Sequence, residues 1–179
     1  MEDASESERF KDFIASIGGV AVEWARLEAE LHSFIGLLLF GDFVKGIELF
    51  IEINNETFLK IFARTYFPVV NIEECDIIFS DLYNRIKIAK TKRNGIVHAY
   101  WDFYSENSGH MMTKGDVNKE KHKKNKKIFT IDIELKEIDE IKTLVKDIVQ
   151  IRTELDLFKE NLISRGIIKI VKQNDDLTT

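Results

Sequence analysis

Residues 135–164, LKEIDEIKTLVKDIVQIRTELDLFKENLIS, decide the fold class. Leu144, Ile148, Ile151, Leu155, Phe158 and Leu162 follow one another in alternating steps of four and three. That spacing lines them up as one seam of a helix, and an apolar seam of this length needs other helices to cover it. A long helix packed lengthwise on its neighbours is therefore predicted over 135–164.

Working outward, the same period recurs. From Glu8 to Phe40, Phe10, Phe13, Ile14 and Ile17 form a stripe, which Val20, Trp24, Leu27, Leu31, Ile35 and Leu38 continue past the Gly18-Gly19 pair. The pair is expected to kink or divide this helix. A shorter helix is predicted over 43–53 with Val44, Ile47 and Ile51 inward, and another over 56–67, stopped by Pro68. Asn71 reads as an N-cap with Glu74 completing a capping box, opening a helix that runs to about His98. Its inward stripe is Ile78, Leu82, Ile86 and Ala89, and the next member of the series is Arg93. A charge at an inward position is the first anomaly in the chain, because buried arginines are rare unless paired or functional.

Helical periodicity lapses over 99–133. Tyr100, Trp101, Phe103 and Tyr104 favour extended structure, as do Ile128, Phe129, Ile131 and Ile133, with a lysine-rich loop at 105–127. The whole is predicted to be all-α: one domain over 1–179, an up-and-down helical bundle with a short β-hairpin or irregular excursion before the last long helix. Residues 1–7 and 167–179 are expected to fray.

Cys75 is the only cysteine, so no intrachain disulfide forms, which fits a reducing compartment. It sits near a helix start, where a thiol can be activated, or it is buried filler. The acidic opening MEDASESERF is not a signal peptide. The longest apolar run, FIGLLLF before Gly41, is far short of the ~20 residues that span a bilayer. A cytoplasmic location away from membranes is expected. The net charge of −5 argues against a protein that coats nucleic acid by phosphate neutralisation, although a local site is compatible with it. Residues 114–127 carry seven lysines against Asp116 and Glu120, a local balance of 7 − 2 = +5. Lys121, Lys123 and Lys124 could extend a nucleic-acid path, or the run could be a solvated loop. His110 and His122 lack metal-site spacing and read as exposed.

RNGIVHAYW at 93–101 concentrates the polar chemistry. A histidine titrates near neutrality and can take a proton from a 2′-hydroxyl or give one to a leaving oxygen. An arginine holds its charge and presents a fork of donors to phosphate oxygens, and Asn94 could orient the imidazole or bind phosphate. None of this needs a metal or a cofactor. On an ideal helix Arg93 and His98 lie about 140° apart, so they share no face by simple geometry. Taken alone, the pair could equally be an arginine at a helix carboxyl end and a histidine packed beneath Trp101.

With Arg93-Asn94-Gly95-Ile96-Val97-His98, Trp24 to Glu28 (WARLE) in a long first helix, Tyr100-Trp101 after the histidine and a long closing helix, the chain resembles the HEPN superfamily. The resemblance implies a helical bundle, commonly a homodimer with the two motifs in a shared cleft. It also implies a metal-independent endoribonuclease of toxin–antitoxin, phage-defence or RNA-processing systems. Arg93 and His98 would then be catalytic and Asn94 supporting. Glu28 would be an acid of the first helix facing the site, or else a surface partner of His32 or Arg26. In one HEPN branch a tyrosine two residues after the histidine is adenylylated by a nucleotidyltransferase antitoxin. Tyr100 stands at that position, or it anchors the hairpin. The rival readings are a HEPN domain that acts as a non-catalytic binding or regulatory partner, and a plain helical dimerisation module.

Overall fold

The computed structural model describes residues 2–50, 53, 55–102, 110–114 and 132–171, with side chains over 8–49, 53, 57–99 and 137–171. The protein is all-α in its main elements: α1 (Glu2–Phe40), α2 (Phe43–Phe50), α3 (Asn55–Val70), α4 (Glu73–Val97) and α5 (Ile138–Ser164). Between α4 and α5 the excursion holds β1 (Tyr100–Asp102), β2 (His110–Lys114) and β3 (Asp132–Lys136). They pair antiparallel in the order β1-β2-β3, with Trp101 opposite Met112 and Met112 opposite Glu134. The predicted lysine-rich loop is therefore interrupted by β2 at 110–114, and its remaining residues lie outside those described.

The α5 seam is buried along its length: Leu144, Ile148, Ile151, Leu155, Phe158 and Leu162, preceded by Ile141. α1 is one uninterrupted helix, so the Gly18-Gly19 pair does not divide it. A Cβ at Gly19 would touch the Val145 side chain of α5 at 3.4 Å, and the glycine thus serves close helix packing. The helix also starts at Glu2, earlier than expected. Phe10 and Ile14 are exposed, and Phe13, Val20 and Trp24 carry the buried stripe in this stretch.

In α2 the expected inward Val44 is exposed, and Gly46 faces α1 in its place. Ile51 lies outside the described residues. Asp42 caps α2 by accepting the Val44 N–H at 2.9 Å. α3 runs through Pro68 to Val70. Proline in the last turn removes only one amide bond, near an end where the ladder is already thinning. Asn71, with φ 42°, adopts the left-handed conformation and donates its N–H to the Phe67 carbonyl at 3.2 Å. It closes α3 as a C-terminal cap and does not open α4. α4 instead starts from Ile72, whose carbonyl accepts the Asp76 N–H at 2.9 Å. Its buried stripe is Cys75, Phe79, Leu82, Ile86, Ala89 and Ile96, and Ile78 is exposed. Among the described residues no helix is long and apolar enough to cross a membrane.

Backbone contacts gather the chain into two compact units, Met1–Trp24 with Ile88–Ile148, and Ala25–Lys87 with Val149–Thr179. In the first, α1 and α5 are tied by the Gly19–Val145 contact and by Lys142, which donates to Asp12 at 2.6 Å. In the second, an aromatic cluster joins four helices. Tyr66 of α3 stacks on Phe79 of α4 at 3.6 Å, and Phe34 of α1 meets Phe62 and, on α5, Phe158 edge-on. Residues 167–171, expected to fray, are held: Ile168 is buried, and the Val171 N–H donates to the Gly41 carbonyl at 2.9 Å.

α1 and α2 touch backbone to backbone at Gly36 and Gly46. A Cβ at Gly36 would stand 2.5 Å from the Asp42 carbonyl oxygen, and one at Gly46 would overlap the His32 carbonyl oxygen. Backbone cannot rotate away as a side-chain end can, so the helices would have to separate. Gly46→Ala is expected to lower stability by about 2 kcal/mol or more, read as a lower urea midpoint. An unchanged midpoint would mean that the α1–α2 contact is slack.

Candidate functional site

Arg93 starts from the buried stripe of α4, one turn beyond Ala89 and three residues before Ile96. Its Nε is buried and has no hydrogen-bond partner among the described residues. The far end of the guanidinium emerges toward the polar side of the helix. There Nη1 donates to Asn94 Oδ1 at 3.0 Å and lies 3.2 Å from His98 Nε2. The ideal-helix angle had kept Arg93 and His98 apart. The structure brings them together because arginine is long, and because His98 sits just past the helix end with its N–H still bonded to the Asn94 carbonyl at 3.2 Å.

A guanidinium can only donate, so the His98 Nε2 beside it acts as an acceptor. No carboxylate is bonded to Arg93 among the described residues. Among the described residues this half-buried cation has no anion and one donor is unmet, and an unmet buried donor alone costs about 1–3 kcal/mol. His98 is exposed and Asn94 half-buried, so the group opens to solvent.

Two neighbours escaped the sequence reading. Lys90 and Lys92 lie on the same end of α4, Lys92 exposed and Lys90 half-buried. The signal was present: from Leu82 to Trp101 the chain carries Arg85, Lys87, Lys90, Lys92 and Arg93 and no Asp or Glu. Arg85 is neutralised by Asp81 and Glu154, whereas Lys90 and Lys92 form no ion pair among the described residues.

The other sequence candidates are placed as follows. Glu28 lies in the second unit, one helical turn from His32, and its charge acts on that ring. Tyr100 opens β1 opposite Thr113, and only its backbone is described. His110 pairs with Lys136 in the sheet. Lys121, Lys123, Lys124 and His122 lie outside the described residues. Cys75 is buried, and its Sγ accepts from Arg165 Nη1 at 3.5 Å. Among the described residues no group of three or more His, Cys, Asp or Glu side chains could hold a metal ion.

Compared with known families, curated proteins and solved structures, the chain matches none.

Two outcomes follow from these side chains. Arg93→Met keeps the stem and removes the charge, so stability, read from the urea midpoint, is expected to stay equal or rise by up to about 1 kcal/mol. A loss of about 3 kcal/mol or more would instead show that Arg93 holds the fold together. His32 gives the second. Its ring is buried edge-on to Phe58 at 4.5 Å, with Nε2 unpartnered. Burial lowers its pKa below the usual 6.5, with Glu28 pulling the other way. The unfolded chain therefore binds this proton first as pH falls. Its contribution is complete above about pH 6.5 and is lost progressively below it, toward the lower folded value. His32→Gln is expected to flatten the fall of the urea midpoint between about pH 7.5 and pH 5. An equally steep fall in the variant would rule His32 out as the source.

Proposed function

We propose that the protein is a metal-independent endoribonuclease of HEPN type, with Arg93 and His98 as its catalytic pair. The observation that carries this is the Arg93 guanidinium, half-buried, bonded to no carboxylate among the described residues and held 3.2 Å from a nitrogen of the exposed His98 ring. A fold of this size retains such an arrangement when an anion completes it, and a phosphodiester is the anion whose cleavage also needs a histidine.

In this reading the scissile phosphate takes over the donors at the emergent end of the Arg93 guanidinium, its two Nη groups, in fork geometry. Nη1 then releases His98 Nε2, whose lone pair accepts the proton of the neighbouring 2′-hydroxyl. The 2′-oxygen forms a bond to phosphorus, the bond from phosphorus to the 5′-oxygen breaks, and the leaving oxygen takes a proton from water. The products are a 2′,3′-cyclic phosphate and a 5′-hydroxyl. Arg93 neutralises the charge that builds on the pentacovalent phosphate, and Asn94 keeps Nη1 aimed while the site is empty. The proposal carries with it a homodimer, and a nucleotidyltransferase antitoxin acting on Tyr100, two residues past the base.

The test is cleavage of a mixed RNA pool in EDTA by wild-type protein and by His98→Ala, Arg93→Ala and Arg93→Lys from matched preparations. Loss of the base is expected to lower the rate about 100-fold or more. Arg93→Lys is expected not to rescue, because an ammonium lacks the fork. Equal cleavage by wild type and His98→Ala would place the activity elsewhere. Specific RNA binding without cleavage by the wild type would favour the non-catalytic binding partner.

A further inference from the structure

Gly95 stands between Asn94 and Ile96 in the last turns of α4, with helical backbone and no positive φ. Neither usual reason for a glycine in a helix holds there. No left-handed conformation calls for it, and a Cβ would meet nothing within 4 Å, so no neighbouring element among the described residues needs its emptiness. Gly36, Gly41 and Gly46 are all closed in by backbone, as a packing glycine is. In a helix interior, glycine without a packing role only weakens the helix relative to alanine.

Its position on the helix suggests what the emptiness serves. The His98 N–H still bonds to the Asn94 carbonyl, so the helical path of the backbone extends to it; with 100° per residue, Gly95 lies about 60° round the helix from His98 and about 60° from Lys92, between the two. Asn94 flanks His98 on the other side, with Lys90 next to it. In angular order the face carries Lys90, Asn94, His98, Thr91, Gly95, Ile88 and Lys92, with Thr91 and Ile88 a turn or more nearer the start of α4. In the last two turns bare backbone at Gly95 therefore lies between His98 and Lys92, and Lys90 and Lys92, which form no ion pair among the described residues, stand at the borders. The absent side chain leaves a shallow floor beside the imidazole. A sugar–phosphate chain can approach bare backbone more closely than any side chain would allow.

We propose that this face of α4 is the seat of the RNA backbone, with Gly95 as the floor on which the ribose next to the scissile phosphate rests, and Lys90 and Lys92 as contacts to the flanking phosphates. The proposal rests on the ribonuclease reading above and adds the three residues that would bind the strand without touching the reacting atoms. Gly95 is a positioning residue and the lysines are binding residues.

The experiment uses the full chain carrying His98→Ala, so that the probe survives, and a fluorescein-labelled single-stranded RNA of random sequence read by anisotropy. Gly95→Ala is compared with Gly18→Ala, a second helical glycine with nothing within 4 Å of its Cβ position. Each is expected to raise Tm by about 2–4 °C. Only Gly95→Ala is expected to weaken RNA binding, by about tenfold, the effect of displacing one well-seated contact. Replacing Lys90 and Lys92 together by alanine is expected to reduce the slope of log K against log salt by about 1.4, two single-strand phosphate contacts. Binding by Gly95→Ala equal to that of its parent, or an unchanged salt slope in the lysine variant, overturns this proposal and leaves the nuclease standing. Absence of both binding by the parent and cleavage by the wild-type chain overturns the nuclease reading itself.

Discussion

α4 must keep one stripe dry for about seven turns, and that requirement determines both where Arg93 begins and where its charge has to go. Cys75, Phe79, Leu82, Ile86, Ala89 and Ile96 fill the stripe, and the period leaves no choice at position 93. An alkyl side chain there would simply extend the core. Arginine instead lays its stem along apolar surface and carries its head to the edge, as long cations do. Ordinarily the head would end in water or on a carboxylate. Here it ends against Asn94, its neighbour on the helix, and His98, which the long arginine reaches from five residues away.

The parts of the fold that could be read from sequence were those where one period dominates. The α5 seam is buried residue for residue, because steps of four and three admit no other face. α4 was read one residue out at its start: Ile78 and Phe79 are both apolar, and periodicity alone cannot say which points inward. The caps failed for a sharper reason. Asn71 suits both a helix N-cap and a left-handed C-terminal position, and the sequence on either side was helical. Only the backbone angle chooses between them. Pro68 was read as a stop, although in a last turn it costs the helix little. Phe10 and Ile14 show the converse error, apolar residues assigned inward where the helix turns that face to solvent.

The site was legible as a list of residues and illegible as a geometry. Arg93, Asn94 and His98 stand out by type. Their meeting depends on side-chain length and on the exact end of a helix, which an ideal wheel of Cα positions does not contain. Lys90 and Lys92 stand out less in the sequence than the denser lysine run at 114–127. A count of lysines measures attraction in the abstract. Whether a lysine can hold a phosphate near His98 depends on the rigid element that carries it, and α4 carries Lys92 and Arg93 and leads directly into His98.

Two local rules are broken within three residues of each other. A cation occupies an apolar position at Arg93, and a helix-weakening glycine occupies an open position at Gly95. Either alone would be an ordinary blemish, since sequences tolerate isolated conflicts. Together, beside an exposed histidine, they point one way, because a sequence that is otherwise consistent tends to depart from its own rules where function demands it. The two departures are also complementary in kind. Arg93 adds charge where the fold would prefer none, and Gly95 removes bulk where the fold would accept some. An anionic chain lying against α4 needs both, charge to hold it and space to lie in, and the fold by itself needs neither.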